Sequence, residues 1–396
     1  MKISKLILPI TLLFALTGCG NSEPVAEGGN IPSGGQAVAD KEQAEQTLED
    51  LVEKSSASLK ENDAFGFTVT NKGVSVKANA TRFNLDGGVS EFTLNGGATG
   101  LYSGTKETTK MGATFSGTKV TYKLDAVPEE GDETHIDKNY EIGPIGTYFD
   151  NGSIYVDASE AKLGALIQSV LTDASPSINI AVEQYLGPDT AAAVATLLAT
   201  LTSSEAAVTA FIGATFFNKA LGFNYKMAFK DVVKDEDAYP LIKVDETTTE
   251  TAKEKVSELK EIFEQSTGLA WDDVMTIYTY KAGGKALQFE LNKDQILAMI
   301  QPEDVEAYGI EFETASVKAA VYFNEQGVPT TASLKEEIKG SANGDIFVDA
   351  LGSALTFESV GEIDINLTYG SNPVSFPENY DDYNAFKMAD LSSLLG

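Results

Sequence analysis

The chain nearly lacks four chemically useful residue types: in 396 residues there is one Cys, one His, one Trp and one Arg. A lone Cys19 excludes an internal disulfide and any thiolate cluster for zinc or iron–sulfur. A lone His135 excludes multi-His metal sites and the His-Glu-x-x-His signature of metallopeptidases. A lone Arg82 leaves little for bidentate recognition of phosphate or carboxylate. Basic side chains are few: 29 Lys and Arg stand against 59 Asp and Glu, a formal charge of −30. Nucleic acid is thereby disfavoured, because binding phosphates takes a dense Lys/Arg surface. Phosphate-cradling glycine patterns and the Gly-x-Ser-x-Gly nucleophile elbow are also missing. His135 sits in an acid-rich loop and reads as solvated. The clusters Glu129-Glu130-Gly131-Asp132-Glu133 and Asp235-Glu236-Asp237 lack the alternating spacing of a calcium loop. A glycosidase carboxylate pair cannot be located among so many acids. We therefore assign no catalytic residue, metal or cofactor, and read the chain as non-enzymatic.

What is present begins at the N-terminus. Lys2 and Lys5 precede an uncharged apolar run from Leu6 to Phe14, then Leu16-Thr17-Gly18-Cys19. This is the layout of an export signal, and its apolar run is too short to span a bilayer. Leu16, Thr17, Gly18 and Cys19 together resemble the lipobox of bacterial lipoproteins. That resemblance implies cleavage after residue 18, lipid on Cys19 and a body held on the extracytoplasmic face of a bacterial membrane. Two or three acyl chains, at roughly 0.8 kcal/mol per buried methylene, anchor stably. Residues 19–40, rich in Gly, Ser, Pro and Asn, read as a flexible tether.

With 42% hydrophobic residues the remainder can build a core. Asp40 and Gln43 read as the start of an amphipathic helix that ends near Asn62, with Ala44, Leu48, Leu51, Val52, Ser55 and Leu59 on one face. Period-two pairs then follow: Phe67/Val69, Val74/Val76, Phe92/Leu94 and Val120/Tyr122/Leu124. Asn71-Lys72-Gly73, Asp86-Gly87-Gly88 and Asn95-Gly96-Gly97 lie between them as hairpin signals. The texture predicts an antiparallel meander with one apolar face. A hairpin over 147–156 leads to a helix over 160–171. Another over 278–289, preceded by an amphipathic helix at about 250–267, leads to a helix capped by Asn292 with Gln295 in the box position. Trp271 reads as a packed aromatic at a helix–strand junction. Residues 176–222 read as two buried apolar helices divided at Thr202-Ser203-Ser204-Glu205. The last third reads as strands: 317–323 against 330–336, then 345–357 and 363–369.

This order of elements, with the Gly327-Val328-Pro329 turn and the terminal Phe376-Pro377, resembles the LolA/LprG-like superfamily of bacterial envelope lipoproteins and lipoprotein carriers. The resemblance spans roughly 41–171 and 250–380. It implies an α+β fold: a large, curved, unclosed antiparallel sheet (an open half-barrel) with helices on its concave face. It also implies an apolar ligand, such as a lipid, held between sheet and helices. The apolar helical insertion 176–222 departs from the pattern. It reads as a lid, as a filling of the cavity, or as a link between two tandem half-barrels at 41–222 and 223–396 rather than one domain over 41–396. Its Leu197, Leu198, Leu201, Phe211 and Phe216 are candidate ligand-lining residues. Two other functions stay open: a structural or interaction lipoprotein with no small ligand, and a solute-binding lipoprotein of an importer. The importer reading requires parallel βαβ units.

Overall fold

A computed structural model describes residues 31–32, 34–61, 63–100, 104–105, 108–127, 133–158, 160–208, 224–228, 251–370, 375–376 and 383–385. The lipobox residues 16–19 lie outside them, as do Phe211, Phe216 and nearly all of both acidic clusters. Among the described residues sixteen strands form one sheet, two of them only two residues long. In chain order they are β1 (Gln36–Ala37), β2 (Ala64–Ala80), β3 (Phe83–Val89), β4 (Phe92–Thr99), β5 (Lys110–Phe115), β6 (Thr118–Ala126), β7 (Thr134–Ile142), β8 (Ile145–Asp150) and β9 (Ser153–Asp157). They continue as β10 (Asn224–Ala228), β11 (Met275–Thr279), β12 (Lys285–Leu291), β13 (Ile310–Phe323), β14 (Pro329–Ala342), β15 (Leu355–Tyr369) and β16 (Asn384–Ala385). The helices are α1 (Lys41–Glu61), α2 (Leu163–Leu186), α3 (Pro188–Thr202), α4 (Ala252–Thr267), α5 (Lys293–Ala298), α6 (Pro302–Tyr308) and α7 (Asp345–Leu351).

The sheet path runs from β1 through β11–β15 to β2, then onward to β10 and β16, and its ends do not meet. All pairings are antiparallel except the short β10–β16 contact. This is the antiparallel sheet expected from the alternation and open as the resemblance implies, and among the described residues it lacks the parallel βαβ units of an importer's binding protein.

The two-residue period assigns each side chain to a face. Ile277, Leu287, Val321, Ala332, Ile365 and Val69 occupy successive cross-strand positions on one face. On that face α1 and α4 bury Leu48, Leu51, Val256 and Phe263 against β11–β13. Trp271, 4% exposed, meets Phe263 edge-to-face at 5.5 Å, so it is a packed aromatic. Caps fix the helices locally. Asp40 accepts from the Gln43 amide at 2.8 Å, and Thr251/Glu254 and Asn292/Gln295 form full capping boxes. The opposite face carries Gln288, Lys318, Ser333, Asp364 and Thr70, and is polar.

The three glycine triplets expected at turns lie inside strands instead. Asn71-Lys72-Gly73 sits within β2, where Gly73 has φ +110°, and the β2–β15 register shifts between Gly361 and Ile363. Opposite it the chain breaks between β3 and β4, β5 and β6, and β7 and β8. The register continues across each break. Val74 pairs Val89 on one side and Asn71 pairs Phe92 on the other, within a single long hairpin. Four neighbouring strands thus carry an extra residue at the same level, which creases the sheet. Ser90 and Ser116 stitch the crease: Ser116 Oγ accepts from the Thr93 amide at 2.7 Å and Ser90 Oγ from the Lys119 amide at 2.9 Å.

Two other boundaries differ from the sequence reading. Residues 345–351 are helical, and β15 is one uninterrupted strand. Helix α2 runs from 163 through Pro176, so a break falls at Gly187-Pro188 in addition to the expected one at Thr202-Ser203-Ser204-Glu205, where α3 ends. Glycine with φ +88° followed by proline at the first helical position stops one helix and starts the next.

Candidate functional site

On the apolar face, beyond the region covered by α1 and α4, the N-terminal meander forms a hollow of about 340 Å³. Its walls are Phe65, Phe67, Ala98, Met111, Phe149 and Ile154, with Gly97 and Gly112 in its floor. The walls come from five strands by register alone: Phe65 pairs Ala98, Ala98 pairs Met111, Met111 pairs Phe149 and Phe149 pairs Ile154. Among the described residues no charged side chain lines the hollow.

Glycine makes the space. Phe67 stands opposite Gly96, and a Cβ at Gly96 would fall 2.1 Å from the Phe67 ring. The ring therefore lies over bare backbone, 6.3 Å from the ring of Phe65 and nearly parallel to it. Gly66, Gly97 and Gly112 follow one another across three strands at the next level. On the polar side of this thin region Phe376 and Tyr383 pack on Tyr148 and Tyr155. Burial, then the hydrogen bond to Asp157 at 2.7 Å, pushes the Tyr383 hydroxyl pKa well up.

Across the crease the same face stays apolar. One cross-strand row is Val74, Val89, Val120 and Tyr140; another is Ala78, Leu85, Leu124 and Ile136. Between them Val76 and Tyr122 are 40% and 37% exposed and flank Gly87. At the β7 margin Asp173 of α2 accepts from Lys138 and, at 2.7 Å, from the Tyr140 hydroxyl. The Lys138 bond, followed by that from Tyr140, outweighs desolvation and lowers the Asp173 pKa. Helix α2 is thereby fastened to the same face as the hollow. The hollow and rows lie between helices at either end.

Comparison with known proteins adds little. No protein-family model matches the chain, and no curated protein does. A solved structure of lipovitellin, concerned with its lipid–protein interactions, is similar over 80% of this chain at 9% identity and a TM-score of 0.23. The chain spans 28% of that lipovitellin chain, and a likeness this distant carries no functional argument.

Of the five candidate lining residues, Phe211 and Phe216 lie outside the described residues and the other three fall elsewhere. Leu198 and Leu201 are buried in the α2–α3 hairpin, Leu197 is 48% exposed, and none of the three lines the hollow. The residues that do line it were visible only as β-alternation around Phe67. Nothing in sequence spacing announces that Phe65, Met111 and Phe149 stand side by side. Among the described residues no group of three His, Cys, Asp or Glu side chains is placed to hold a metal ion. No helix among them is long and apolar enough to cross a membrane.

Proposed function

We propose that this protein is a bacterial lipoprotein, anchored through lipid on Cys19, that binds a lipid or other apolar ligand on the apolar face of its sheet. It does so without catalysis, in lipid handling within the cell envelope. The observation that carries the reading is the hollow itself: about 340 Å³, aromatic and aliphatic walls, no charged lining, on a protein of net charge −30. Soluble chains leave such surface open chiefly where a ligand, partner or membrane covers it. Apolar burial at roughly 25 cal/mol per Å² makes a hydrocarbon chain the natural occupant. The apolar rows beyond the crease extend the same surface, so a longer chain, or a second one, finds further contact there.

Two measurements test the reading. Organic extraction of the purified chain, followed by mass spectrometry, is expected to release a non-covalent lipid, and the emptied protein is expected to take up a fluorescent fatty acid. Met111→Glu, placing a carboxylate on the wall, is expected to abolish that uptake with the far-UV spectrum unchanged. A chain that carries no lipid and takes up none refutes ligand binding. For the anchor, labelled palmitate is expected in the wild-type chain and not in Cys19→Ser; equal labelling of both refutes it.

A further inference from the structure

We propose that the α2–α3 hairpin is the surface with which this protein meets a lipid bilayer, and that the bilayer it fits is electroneutral. The proposal rests on the lipid-binding reading above for its purpose, but its observations belong to the hairpin. The two helices run side by side, with Gln168 Nε2 donating to the Thr202 carbonyl at 2.8 Å. Leu198 and Leu201 are buried, whereas Val170 and Leu197 stand 45% and 48% exposed. These are large aliphatic side chains left in water on a protein with ample acidic residues for its surface.

Charge is missing where it would be expected. From Thr190 to Ser204 no residue is charged, although the chain as a whole carries −30, and the hairpin's exposed carboxylates, Glu183 and Asp189, are confined to the two sides of its Gly187 turn. Asp173 of α2 is turned onto the sheet by Lys138 and Tyr140. The hydroxyls do not make up the polarity. Thr196 donates to the Ala192 carbonyl at 2.9 Å, Thr200 to Thr196 at 2.9 Å, and Thr202 to Leu198 at 2.8 Å. Thr172 and Ser175 of α2 do the same toward Gln168 and Leu171. With their protons engaged by their own helix, the threonines offer methyl groups outward.

The electrostatics select the occupant. A strongly acidic body is repelled by anionic headgroups, and α3 holds no Lys or Arg to reverse that. A zwitterionic or uncharged lipid surface imposes no such penalty, and apolar area alone then drives interfacial docking. Because α2 is fastened to the sheet face that carries the hollow, docking brings a source of hydrocarbon chains to the side of the molecule that would receive them.

The test uses the full chain in a Cys19→Ser background, in which an introduced thiol is unique. Leu197→Cys and Val170→Cys carry an environment-sensitive fluorophore, and Lys335→Cys on the polar face serves as control. With phosphatidylcholine vesicles the labels at 197 and 170 are expected to shift to the blue. Chain-brominated lipid is expected to quench them about twofold or more, with the 335 label unchanged and phosphatidylglycerol vesicles giving a weaker response. Labels at 197 and 170 that stay in water overturn the proposal, as does a stronger response to anionic vesicles. A shift that appears without lipid and accompanies a doubled mass assigns the surface to a second copy and overturns it too. Fatty-acid uptake by the same samples reports the hollow separately. Uptake without quenching refutes only the hairpin, and quenching without uptake refutes only the ligand reading.

Discussion

Replacing Gly96 by Ala is the sharpest probe of the hollow. The added methyl carbon would lie 2.1, 2.5 and 2.8 Å from three carbons of the Phe67 ring, where contact distances of about 3.5–4.0 Å are needed. The ring must therefore retreat by roughly 1.5 Å, and the backbone beneath it leaves the hollow as the free direction. Overpacking of this kind costs about 1–3 kcal/mol. Urea unfolding should show the destabilisation, and fluorescent fatty-acid uptake should fall because the displaced ring occupies part of the 340 Å³. The decisive measurement is the double-mutant cycle with Phe67→Ala. Once the ring is gone the Gly96 methyl meets no ring, so Gly96→Ala should cost little in that background, with a coupling of about 1–3 kcal/mol. If the two substitutions are additive within about 0.5 kcal/mol, the ring does not rest on Gly96 and the account of the hollow fails.

Three further outcomes are expected. His135 bonds Asp125 at 3.0 Å and Glu133 at 3.2 Å, and these two partners, Asp125 foremost, raise its pKa above 6.5. The raised value means the stabilisation is complete below pH 6.5 and is lost as pH rises through the folded pKa. NMR titration of this lone imidazole should show a midpoint above 6.5 that Asp125→Asn moves back down, and a wild-type midpoint at or below 6.5 contradicts the pairing. Asn292→Ala removes the capping box of α5 and should cost about 1 kcal/mol in thermal or urea unfolding. Leu287→Ala, at a position 1% exposed beneath α1 and α4, should cost about 2–5 kcal/mol, and a cost below 1 kcal/mol would mean that the core lies elsewhere.

The legible parts of the fold were those with local causes. Asp40 and Asn292 begin their helices by accepting hydrogen bonds from amides two or three residues on, which a sequence displays directly. The hairpins over β8–β9 and β11–β12 are equally local. Non-local causes were hidden. Asn71-Lys72-Gly73 and its companions carry turn composition, yet each lies inside a strand whose residues pair on both sides, with β15 and β4 in the case of β2. Residues 345–351 show apolar runs like a strand, but Gly344 and Gly352 bound a short helix that buries none of its residues. The hollow was least legible, because its walls depend on the register of five strands.

The pairing of β2 with β15 joins the opening of the meander to its close: Phe65 lies beside Tyr369 and Asn79 beside Thr356. A strand made early by the ribosome thus waits for one made near the end of synthesis. Until then a 17-residue ladder of amides and carbonyls stands open along β2, a template for mispairing with other chains. Contacts so distant along the chain also make assembly slow. A polypeptide built this way is best kept unfolded until it is whole, and export in an extended form followed by folding on arrival would meet that need.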